Sequence, residues 1–255
     1  MDISEFSRLH VTSNYARHPW ETARGKVLLR LLSKYVPLPQ DKLVDIGSGD
    51  AYVINLTCEN RVAGSYSAID IAYTPEIIAQ LKENNHNSPI GYFPSIPGME
   101  ASGRQPGTSL YLCMDVLEHL ENEKIVLDQI IKEPLEKNPA FYFFSVPAFQ
   151  SVFSNHDVLL GHYRRYTVSQ LKELCLRHGL TVIDSGYFFF SLLIGRWFEK
   201  KLLKKKDYSI DNWGGGPAKT TVINFILTID FKISNALKKA GIRLPGLSCY
   251  CICRA

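Results

Sequence analysis

The sequence predicts a doubly wound α/β fold: a mostly parallel, seven-stranded sheet with helices on both faces and a helical insertion before the last strand. Short apolar segments alternate with stretches of helical periodicity, which is the pattern of βαβ units and a parallel sheet. A Gly-x-Gly turn follows the first apolar segment, where such a sheet passes from a strand into a helix. The insertion, about residues 190–245, is far longer than an ordinary connection. At 255 residues the chain is expected to form a single domain, residues 1–255.

The first half of the chain predicts three helices and three strands. They are a helix over 22–35, a strand over 42–46, a helix over 53–56, a strand over 67–71, a helix from 74 and a short strand over 90–93. Apolar residues of the first helix recur at helical spacing until Pro37 ends the pattern. Thr74 and Pro75 are typical of a helix start, because threonine caps free N–H groups and proline suits the first helical position.

The second half predicts four strands, the last two separated by the insertion. The elements are a strand over 109–114, a helix from 115, a strand over 140–145, a helix over 167–179, a strand over 181–190, a helix over 221–240 and a strand over 247–253. A long polar loop, residues 146–166, follows the fifth strand. Thr167 and Gln170 have the spacing of a capping box, and Gly179 suits the position after a helix end.

The charge of the chain is small and dispersed. The net charge is +4, and lysine and arginine are spread over most of the sequence. Nucleic-acid binding usually needs a concentrated basic face, so we expect no nucleic-acid partner. The exception is a group of five lysines within residues 200–206.

The six cysteines and the first residues indicate a cytoplasmic protein. The N-terminus lacks the basic start and apolar run of a secretion signal, and scattered thiols suit a reducing compartment. Cys249, Cys251 and Cys253 alternate along the last predicted strand, which places them on one face. We interpret them as buried strand residues, because a metal site there would lack a fourth ligand.

The glycine turn reads Asp45-Ile46-Gly47-Ser48-Gly49. Glycines at this position let a ligand approach bare backbone, although a tight turn without a ligand has the same pattern. A nicotinamide-type fingerprint would place glycine or alanine three residues after Gly49, where this chain has Tyr52. Many dinucleotide sites also have an apolar residue at the position of Asp45. Both features favour an adenosyl ligand other than NAD.

The stretch from Leu43 to Asp50 resembles motif I of class I S-adenosylmethionine-dependent methyltransferases, which have a Rossmann-like fold. The resemblance implies S-adenosyl-L-methionine as cofactor, with its amino-acid part above the glycine loop. It also implies that Asp70 accepts the ribose hydroxyls, since a carboxylate offers two acceptor oxygens. In a related subgroup an aromatic residue and an arginine, here Trp20 and Arg24, accompany a first helix that crosses the cofactor, and the arginine meets its carboxylate. The predicted cofactor contacts are Trp20, Arg24, Asp45, Gly47, Ser48, Gly49, Asp70, Ile71, Met114 and Asp115.

The sequence Asp115-Val-Leu-Glu118-His119 resembles a signature at the fourth strand of small-molecule methyltransferases. The resemblance places His119 near the reacting centre. Other interpretations stay open, because Asp115 and Glu118 have capping-box spacing and His119 also suits a packed position. Some relatives in quinone biosynthesis hold a divalent metal on the corresponding acid, acid and histidine, and these ligands suit Mg²⁺ or Zn²⁺. For this chain we predict no metal.

The loop after the fifth strand contains Val-Pro-Ala at 146–148, His156-Asp157, and Gly-His-Tyr-Arg-Arg-Tyr-Thr at 161–167. It resembles a signature of a subgroup of methyltransferase-domain proteins, at the ligand-binding end of the sheet. Histidine suits proton removal near neutral pH, and arginine suits a carboxylate or phosphate of the substrate. Alternatively, the arginines pair with acids and hold the loop in shape. The predicted catalytic residues are His119, His156, His162 and Arg165.

The resemblance implies an enzyme that methylates an oxygen or nitrogen of a small-molecule or lipid- or sugar-linked acceptor. Residues 187–206 combine an apolar run with lysines and suit peripheral membrane contact, while a helix packed on the sheet is the alternative. Two other functions stay open: a catalytically inactive scaffold that binds the cofactor, and an NAD(P)-dependent oxidoreductase. Nothing in the sequence predicts an oligomeric state.

Overall fold

The computed structural model describes residues 17–85, 88–101, 107–131, 139–198 and 216–255. Within these ranges the chain forms seven strands and nine α-helices. The strands are β1 (Gln40–Ile46), β2 (Ala63–Ile69), β3 (Ile90–Phe93), β4 (Ser109–Met114), β5 (Ala140–Pro147), β6 (Thr181–Phe188) and β7 (Ser248–Arg254). The helices are α1 (Pro19–Tyr35), α2 (Tyr52–Glu59), α3 (Pro75–Asn84), α4 (Ile96–Ala101), α5 (Lys124–Ile130), α6 (Asn155–Leu159), α7 (Val168–Arg177), α8 (Phe190–Phe198) and α9 (Pro217–Lys239).

The strands form one sheet in the order β3-β2-β1-β4-β5-β7-β6. Strand β1 pairs in parallel with β2 and β4, whereas β7 runs antiparallel to both of its neighbours. The antiparallel direction follows from the insertion, which leaves the end of β6 and returns beside it, so that Phe188 pairs with Ser248. The predicted sheet is therefore confirmed as α/β and seven-stranded, but it is mixed: one strand is reversed.

The strand order reverses direction at β1, because β2 and β3 lie on one side of β1 and β4 lies on the other. In open α/β sheets, ligands bind in the crevice at such a switch point. The loop after β1 begins at Gly47, whose N–H donates to the carbonyl oxygen of Ile69 at 2.8 Å. The loop after β4 begins at Asp115, whose N–H donates to the carbonyl oxygen of Ser145 at 2.9 Å. Both loops therefore start at the same edge of the sheet.

Apolar side chains cover both faces of the sheet and form two clusters. One cluster contains buried residues of α1, α2, α3 and α9, such as Leu28, Ile54 and Leu227. The other contains residues of α4, α5 and α7, such as Leu127 and Leu171. The predicted placement of helices on both faces is therefore confirmed.

The insertion consists, in its described part, of α8 and α9, and polar contacts fix both helices. Asp230 of α9 accepts a hydrogen bond from the N–H of Ser191 in α8 at 2.7 Å. Thr22 of α1 donates to the side-chain oxygen of Asn224 at 2.7 Å, so α9 is also joined to the first helix. None of the helices in the described ranges has both the length and the apolar character to cross a membrane.

The first helix and the sixth strand differ from their predicted bounds. Helix α1 begins at Pro19, and His18 accepts a hydrogen bond from the N–H of Trp20, so Trp20 lies in the first turn rather than before it. Apolar spacing indicates the buried face of a helix, but not where its hydrogen bonds begin. Strand β6 ends at Phe188 because Phe189 has a φ of +67°, which interrupts the extended backbone.

The cysteines of β7 lie where their alternation predicts. Cys249, Cys251 and Cys253 are buried in the same cluster, together with Cys175 of α7. All are free thiols. The interpretation as buried strand residues is confirmed, because the pleat of β7 turns every second side chain to one face.

Candidate functional site

The loop after β1 is a tight turn with left-handed backbone. Gly47 and Gly49 have φ angles of +72° and +53°, and Ala51 has +62°. A Cβ on Gly47 would lie 2.4 Å from Cγ2 of Val116, in the loop after β4. Only glycine fits at this position, because a side chain would meet both the unfavourable φ and this close neighbour. The two loops at the switch point are therefore in direct contact.

Asp70 holds this glycine loop from the end of the next strand. Its side chain is 3% exposed and accepts hydrogen bonds from the backbone N–H of Gly49 at 3.0 Å and of Ala72 at 2.9 Å. The hydroxyl of Tyr73 donates to the carbonyl oxygen of Gly49 at 3.0 Å. The carboxylate that the resemblance assigns to a ribose thus also shapes the loop. The two roles are compatible, since each carboxylate oxygen has two lone pairs.

Asp45 and Ser48 form a buried pair at the base of the loop. Asp45 is 2% exposed, and the hydroxyl of Ser48 donates to its Oδ2 at 2.8 Å. Burial raises the pKa of Asp45 to about 7, although the hydrogen bond from Ser48 favours the ionised form. Ile71, just beyond the end of β2, is 93% exposed. This edge of the sheet thus combines an acid that titrates near neutral pH with an exposed apolar side chain.

Helix α1 is joined to the end of β4 by an ion pair. The guanidinium of Arg24 pairs with the carboxylate of Asp115, and its Cζ lies 4.7 Å from the ring centre of Trp20. Met114, the last residue of β4, is buried beside Asp115. Arg24 therefore has a carboxylate of the protein itself as partner, where the resemblance implies the carboxylate of the cofactor. Four predicted contact residues are brought together at this point.

Arg17, which is not among the predicted site residues, connects the start of α1 to the glycine loop. Its guanidinium binds Glu21 at 2.8 Å and Asp50 at 2.7 Å, and stacks 3.9 Å from the ring centre of Tyr52. The only local signal was the i, i+4 spacing of Arg17 and Glu21, which is common on helices. The contacts with Asp50 and Tyr52 depend on tertiary structure.

The segment after β4 does not form the predicted helix. Asp115 has a φ of +54°, and a single 3₁₀ turn, Leu117–His119, follows it. The capping-box interpretation is therefore wrong, since no α-helix follows Asp115 and the carboxylate of Glu118 accepts no hydrogen bond from the backbone of Asp115. Glu118 is instead fully buried, and neither of its oxygens has a hydrogen-bond partner in the described part of the chain. Burial raises the pKa of this carboxyl to about 8.

The loop after β5 is organised around the buried carboxylate of Asp157. It binds Nδ1 of His162 at 3.0 Å, the N–H of Ser154 at 2.8 Å, and Nε and Nη2 of Arg165 at 2.8 and 3.1 Å. Burial alone would raise the pKa of Asp157, but the hydrogen bonds from His162 and Arg165 outweigh it and lower the pKa well below its usual value. Asp157 is therefore ionised, and Nδ1 of His162 carries the donated proton.

Arg165, a predicted catalytic residue, is the main partner of this carboxylate. It is 9% exposed, binds Asp157 through two nitrogens and donates to the carbonyl oxygen of Ala148 at 3.3 Å. A guanidinium used in this way stabilises the loop, and its contact with a substrate anion stays a prediction. The alternative interpretation, in which the arginines hold the loop, is supported. Arg164 pairs likewise with Glu123 at 2.6 Å.

Two of the predicted catalytic histidines, His119 and His162, contact each other. Ligand atoms of Glu118, His119 and His162 all lie within 4.8 Å of one another, and the two rings contact edge to face with centroids 4.6 Å apart. The backbone N–H of Tyr163 donates to the carbonyl oxygen of Glu118 at 2.7 Å and ties the two segments together. His156, half-buried on α6, is not part of this group.

Comparisons with known proteins identify the fold. Neither a protein-family model nor a curated protein sequence matches the chain. Solved structures do match it over most of its length. The methyltransferase domain of bacterial CtHen1 has a TM-score of 0.51 at 12% identity, covering 92% of this chain and 99% of that one. The N-methyltransferase NodS from Bradyrhizobium japonicum, bound to S-adenosyl-L-homocysteine, has a TM-score of 0.51 at 18% identity, covering 71% and 87%.

A third match is phosphoethanolamine N-methyltransferase 2 from Haemonchus contortus, in complex with S-adenosyl-L-methionine. Its TM-score is 0.53 at 11% identity, covering 99% of this chain and 57% of that one. This chain has the fold of S-adenosylmethionine-dependent methyltransferases. Within this methyltransferase fold, the glycine loop, Asp70 and the Arg24–Asp115 pair lie at the switch point between β1 and β4.

Proposed function

We propose that the protein binds S-adenosyl-L-methionine and transfers its methyl group to an oxygen or nitrogen of a small-molecule or lipid- or sugar-linked acceptor. The observation that carries the proposal is the glycine loop, held in shape by Asp70 at the switch point of a methyltransferase fold. Two of the matching structures are complexes with S-adenosyl-L-methionine or its demethylated product.

The residues that follow β1 and β2 fit the amino-acid, ribose and adenine parts of S-adenosyl-L-methionine. The bare turn at Gly47 and Gly49 accommodates the amino-acid part, and the ionised form of Asp45 attracts its ammonium group. Asp70 accepts the ribose hydroxyls with its remaining lone pairs. Ile71, which is 93% exposed, offers an apolar surface for the adenine ring.

The chain itself contributes alignment and proton acceptance. When bound, the cofactor would supply a methyl group on a sulfonium, which the acceptor's lone pair attacks in line while the C–S bond breaks and S-adenosyl-L-homocysteine leaves. Trp20 and Arg24 hold α1 against the end of β4, which restricts where cofactor and acceptor can meet. An acceptor hydroxyl or ammonium must also lose a proton, and His119 and His162 are the groups at this edge suited to take it.

Exposed apolar side chains of the insertion favour a lipid-linked acceptor. Trp197 and Phe198 of α8 are 46% and 49% exposed, and Phe225 of α9 is 65% exposed. The five lysines at 200–206 follow α8 in the sequence and lie outside the described residues. Aromatic side chains beside basic residues are typical of segments in the interface of an anionic membrane. The enzyme then acts in the cytoplasm, in peripheral contact with such a surface through residues 187–206.

Isothermal titration calorimetry with S-adenosyl-L-homocysteine and with NAD⁺ tests the cofactor. We expect one molecule of S-adenosyl-L-homocysteine to bind per chain, and we expect no binding of NAD⁺. Binding of NAD⁺ alone would support the oxidoreductase instead. A turnover assay with radiolabelled methyl donor and lipid- or sugar-linked acceptors separates an enzyme from an inactive scaffold, since the scaffold would bind the product without transferring the label.

A further inference from the structure

Three side chains that could coordinate a metal ion lie close together near the end of β4. Glu118 and His119 come from the 3₁₀ turn after this strand, and His162 comes from the loop after β5. Their ligand atoms lie within 4.8 Å of one another. Among the residues that the structure describes, no other set of three histidine, cysteine or acidic side chains meets so closely.

Of the three side chains, Glu118 is the one whose burial requires an interaction partner for its carboxylate. It is fully buried, and both carboxylate oxygens lack a hydrogen-bond partner within the described ranges. Buried polar groups are almost always paired, because an unsatisfied carboxylate loses its hydration without compensation. A nitrogen of His119 and a nitrogen of His162 lie within 4.8 Å of a carboxylate oxygen of Glu118 and could bind the same ion.

Asp157 fixes the tautomer of His162. Its Nδ1 binds Oδ1 of Asp157 at 3.0 Å, and Asp157 also accepts from Arg165 and Ser154. A carboxylate that only accepts hydrogen bonds fixes the proton of His162 on Nδ1 and leaves the lone pair on Nε2. This arrangement of carboxylate, histidine and ion is common in protein metal sites, where the carboxylate sets the tautomer and the ring orientation.

Asp115 does not belong to the group, because its carboxylate pairs with Arg24. The set therefore differs from the acid, acid and histidine that the sequence resemblance suggests. The third ligand comes from the loop after β5, 43 residues further along the chain than His119, a distance that no local motif spans.

Although the sequence analysis predicts no metal, we propose that Glu118, His119 and His162 bind one divalent transition-metal ion, for which Zn²⁺ is the best match. Two imidazoles and one carboxylate are ligands that Zn²⁺ accepts readily, whereas Mg²⁺ prefers oxygen ligands alone. Zinc bonds of roughly 2.1 Å place tetrahedral ligand atoms about 3.4 Å apart, which the three side chains reach by small rotations. Three protein ligands leave at least one coordination position for an oxygen of a ligand.

The inference goes beyond methyl transfer and does not depend on it, since the ion binds without cofactor or acceptor. If the protein is a methyltransferase, the ion refines its mechanism. His119 and His162 would then be ligands rather than proton acceptors, and the ion would supply Lewis acidity that lowers the pKa of a bound acceptor oxygen.

The test is calorimetric titration of the full chain, freed of metal with EDTA and dialysed, with ZnCl₂, MnCl₂ and MgCl₂. We expect one Zn²⁺ per chain, weaker binding of Mn²⁺, and Mg²⁺ weakest. Glu118→Gln and His162→Asn should each weaken Zn²⁺ at least about 100-fold, and Asp157→Asn about 10- to 100-fold. Near-ultraviolet circular dichroism verifies that each variant is folded, and His119→Asn replaces any variant that is not.

Matched variants identify the site. His156→Asn, in the same loop, and Cys251→Ala, among the buried thiols, should leave Zn²⁺ affinity unchanged. Bound Co²⁺ should show ligand-field bands without a thiolate charge-transfer band. Absence of Zn²⁺ binding, affinity that survives both Glu118→Gln and His162→Asn, or a thiolate band with Co²⁺ would overturn the proposal.

Discussion

The backbone N–H of Gly49 donates a hydrogen bond of 3.0 Å to Oδ2 of Asp70, and this bond joins the loop after β1 to the loop after β2. The second oxygen of Asp70 accepts from the N–H of Ala72 at 2.9 Å. One carboxylate therefore fixes the loop after β1 and the loop after β2 relative to each other. Changes to it should affect the shape of the site even where a ligand does not touch it.

Asp70→Asn should weaken both the fold and the binding of S-adenosyl-L-homocysteine. Asparagine retains one acceptor oxygen, so its NH₂ group faces a backbone N–H of Gly49 or Ala72. We expect a loss of about 1–3 kcal/mol in the free energy of unfolding, measured in urea, and at least about tenfold weaker binding by calorimetry. Asp41→Asn is the control, because Asp41 accepts from the N–H of Thr108 at 2.7 Å at the opposite end of β1. Full affinity in Asp70→Asn would contradict its role.

Gly47→Ala should be more harmful than Gly179→Ala. Both glycines have positive φ, +72° and +77°, but an added Cβ meets Val116 at 2.4 Å only at Gly47. The backbone conformation alone costs about 1–2 kcal/mol, and the clash at Gly47 adds about 1–3 kcal/mol. Urea unfolding of both variants measures the difference. Val116→Ala, combined with Gly47→Ala, should recover the part due to the clash, and equal losses in the two single variants would refute the contact.

Asp45 should make stability fall as the pH rises from about 4 to about 7. Its pKa is 3.8 without the fold and about 7 within it, so the folded state keeps a proton that the unfolded state has released over this range. Below the lower value both states are protonated, and above the higher value both are ionised, so the slope is confined between them. Urea unfolding at a series of pH values should show a steeper fall in the wild type than in Asp45→Asn, which keeps the part due to Glu118, whose pKa burial raises to about 8. An unchanged slope in the variant would assign it to another group.

The same group should release a proton when the ammonium group of a ligand binds beside it. At a pH below about 7 the buried carboxyl is largely protonated, and a ligand ammonium group nearby favours its ionised form. Calorimetry of S-adenosyl-L-homocysteine in two buffers with different ionisation enthalpies should report the release. Asp45→Asn should abolish it; release that persists in this variant would place the ammonium group elsewhere.

Arg165→Met should destabilise the fold much more than Arg164→Met. Arg165 is paired with the fully buried Asp157, so its removal leaves an uncompensated charge and costs about 3–5 kcal/mol. The pair of Arg164 with Glu123 is partly exposed, and about 0–1 kcal/mol is expected there. Thermal and urea unfolding measure both. Unchanged stability in Arg165→Met would return this arginine to the role of a substrate contact.

The double variant Trp197→Ser and Phe198→Ser should lose binding to vesicles of phosphatidylglycerol and phosphatidylcholine. Both side chains are about half exposed on α8, and their burial in lipid provides the apolar part of the affinity. Co-sedimentation at low and high salt separates this part from the contribution of charge. Ile125→Ser is the control, since Ile125 is 60% exposed on α5 outside the insertion. A wild type that stays in the supernatant would exclude membrane contact.

Local patterns predicted much of the fold and part of the site. The Thr74 cap with Pro75, the Thr167 capping box and the short strand β3 appear where the sequence indicates, because each depends on neighbours within a few residues. The helix predicted after β4 is wrong because that prediction, too, used only local spacing. Asp115 and Glu118 have capping-box spacing, but contacts of Asp115 with Arg24 accompany a left-handed turn instead.

The sequence alone determined the α/β class, the position of the glycine loop and the acids at the ends of β1 and β2, since these follow from periodicity and from residues close in the chain. Only the tertiary structure decided how distant side chains combine. It buried Glu118 with no hydrogen-bond partner among the described residues and brought it to His119 and His162. It also paired Arg165 with Asp157 and Arg24 with Asp115. These contacts join loops from different strands, whose separation in space depends on the packed sheet and on no local pattern.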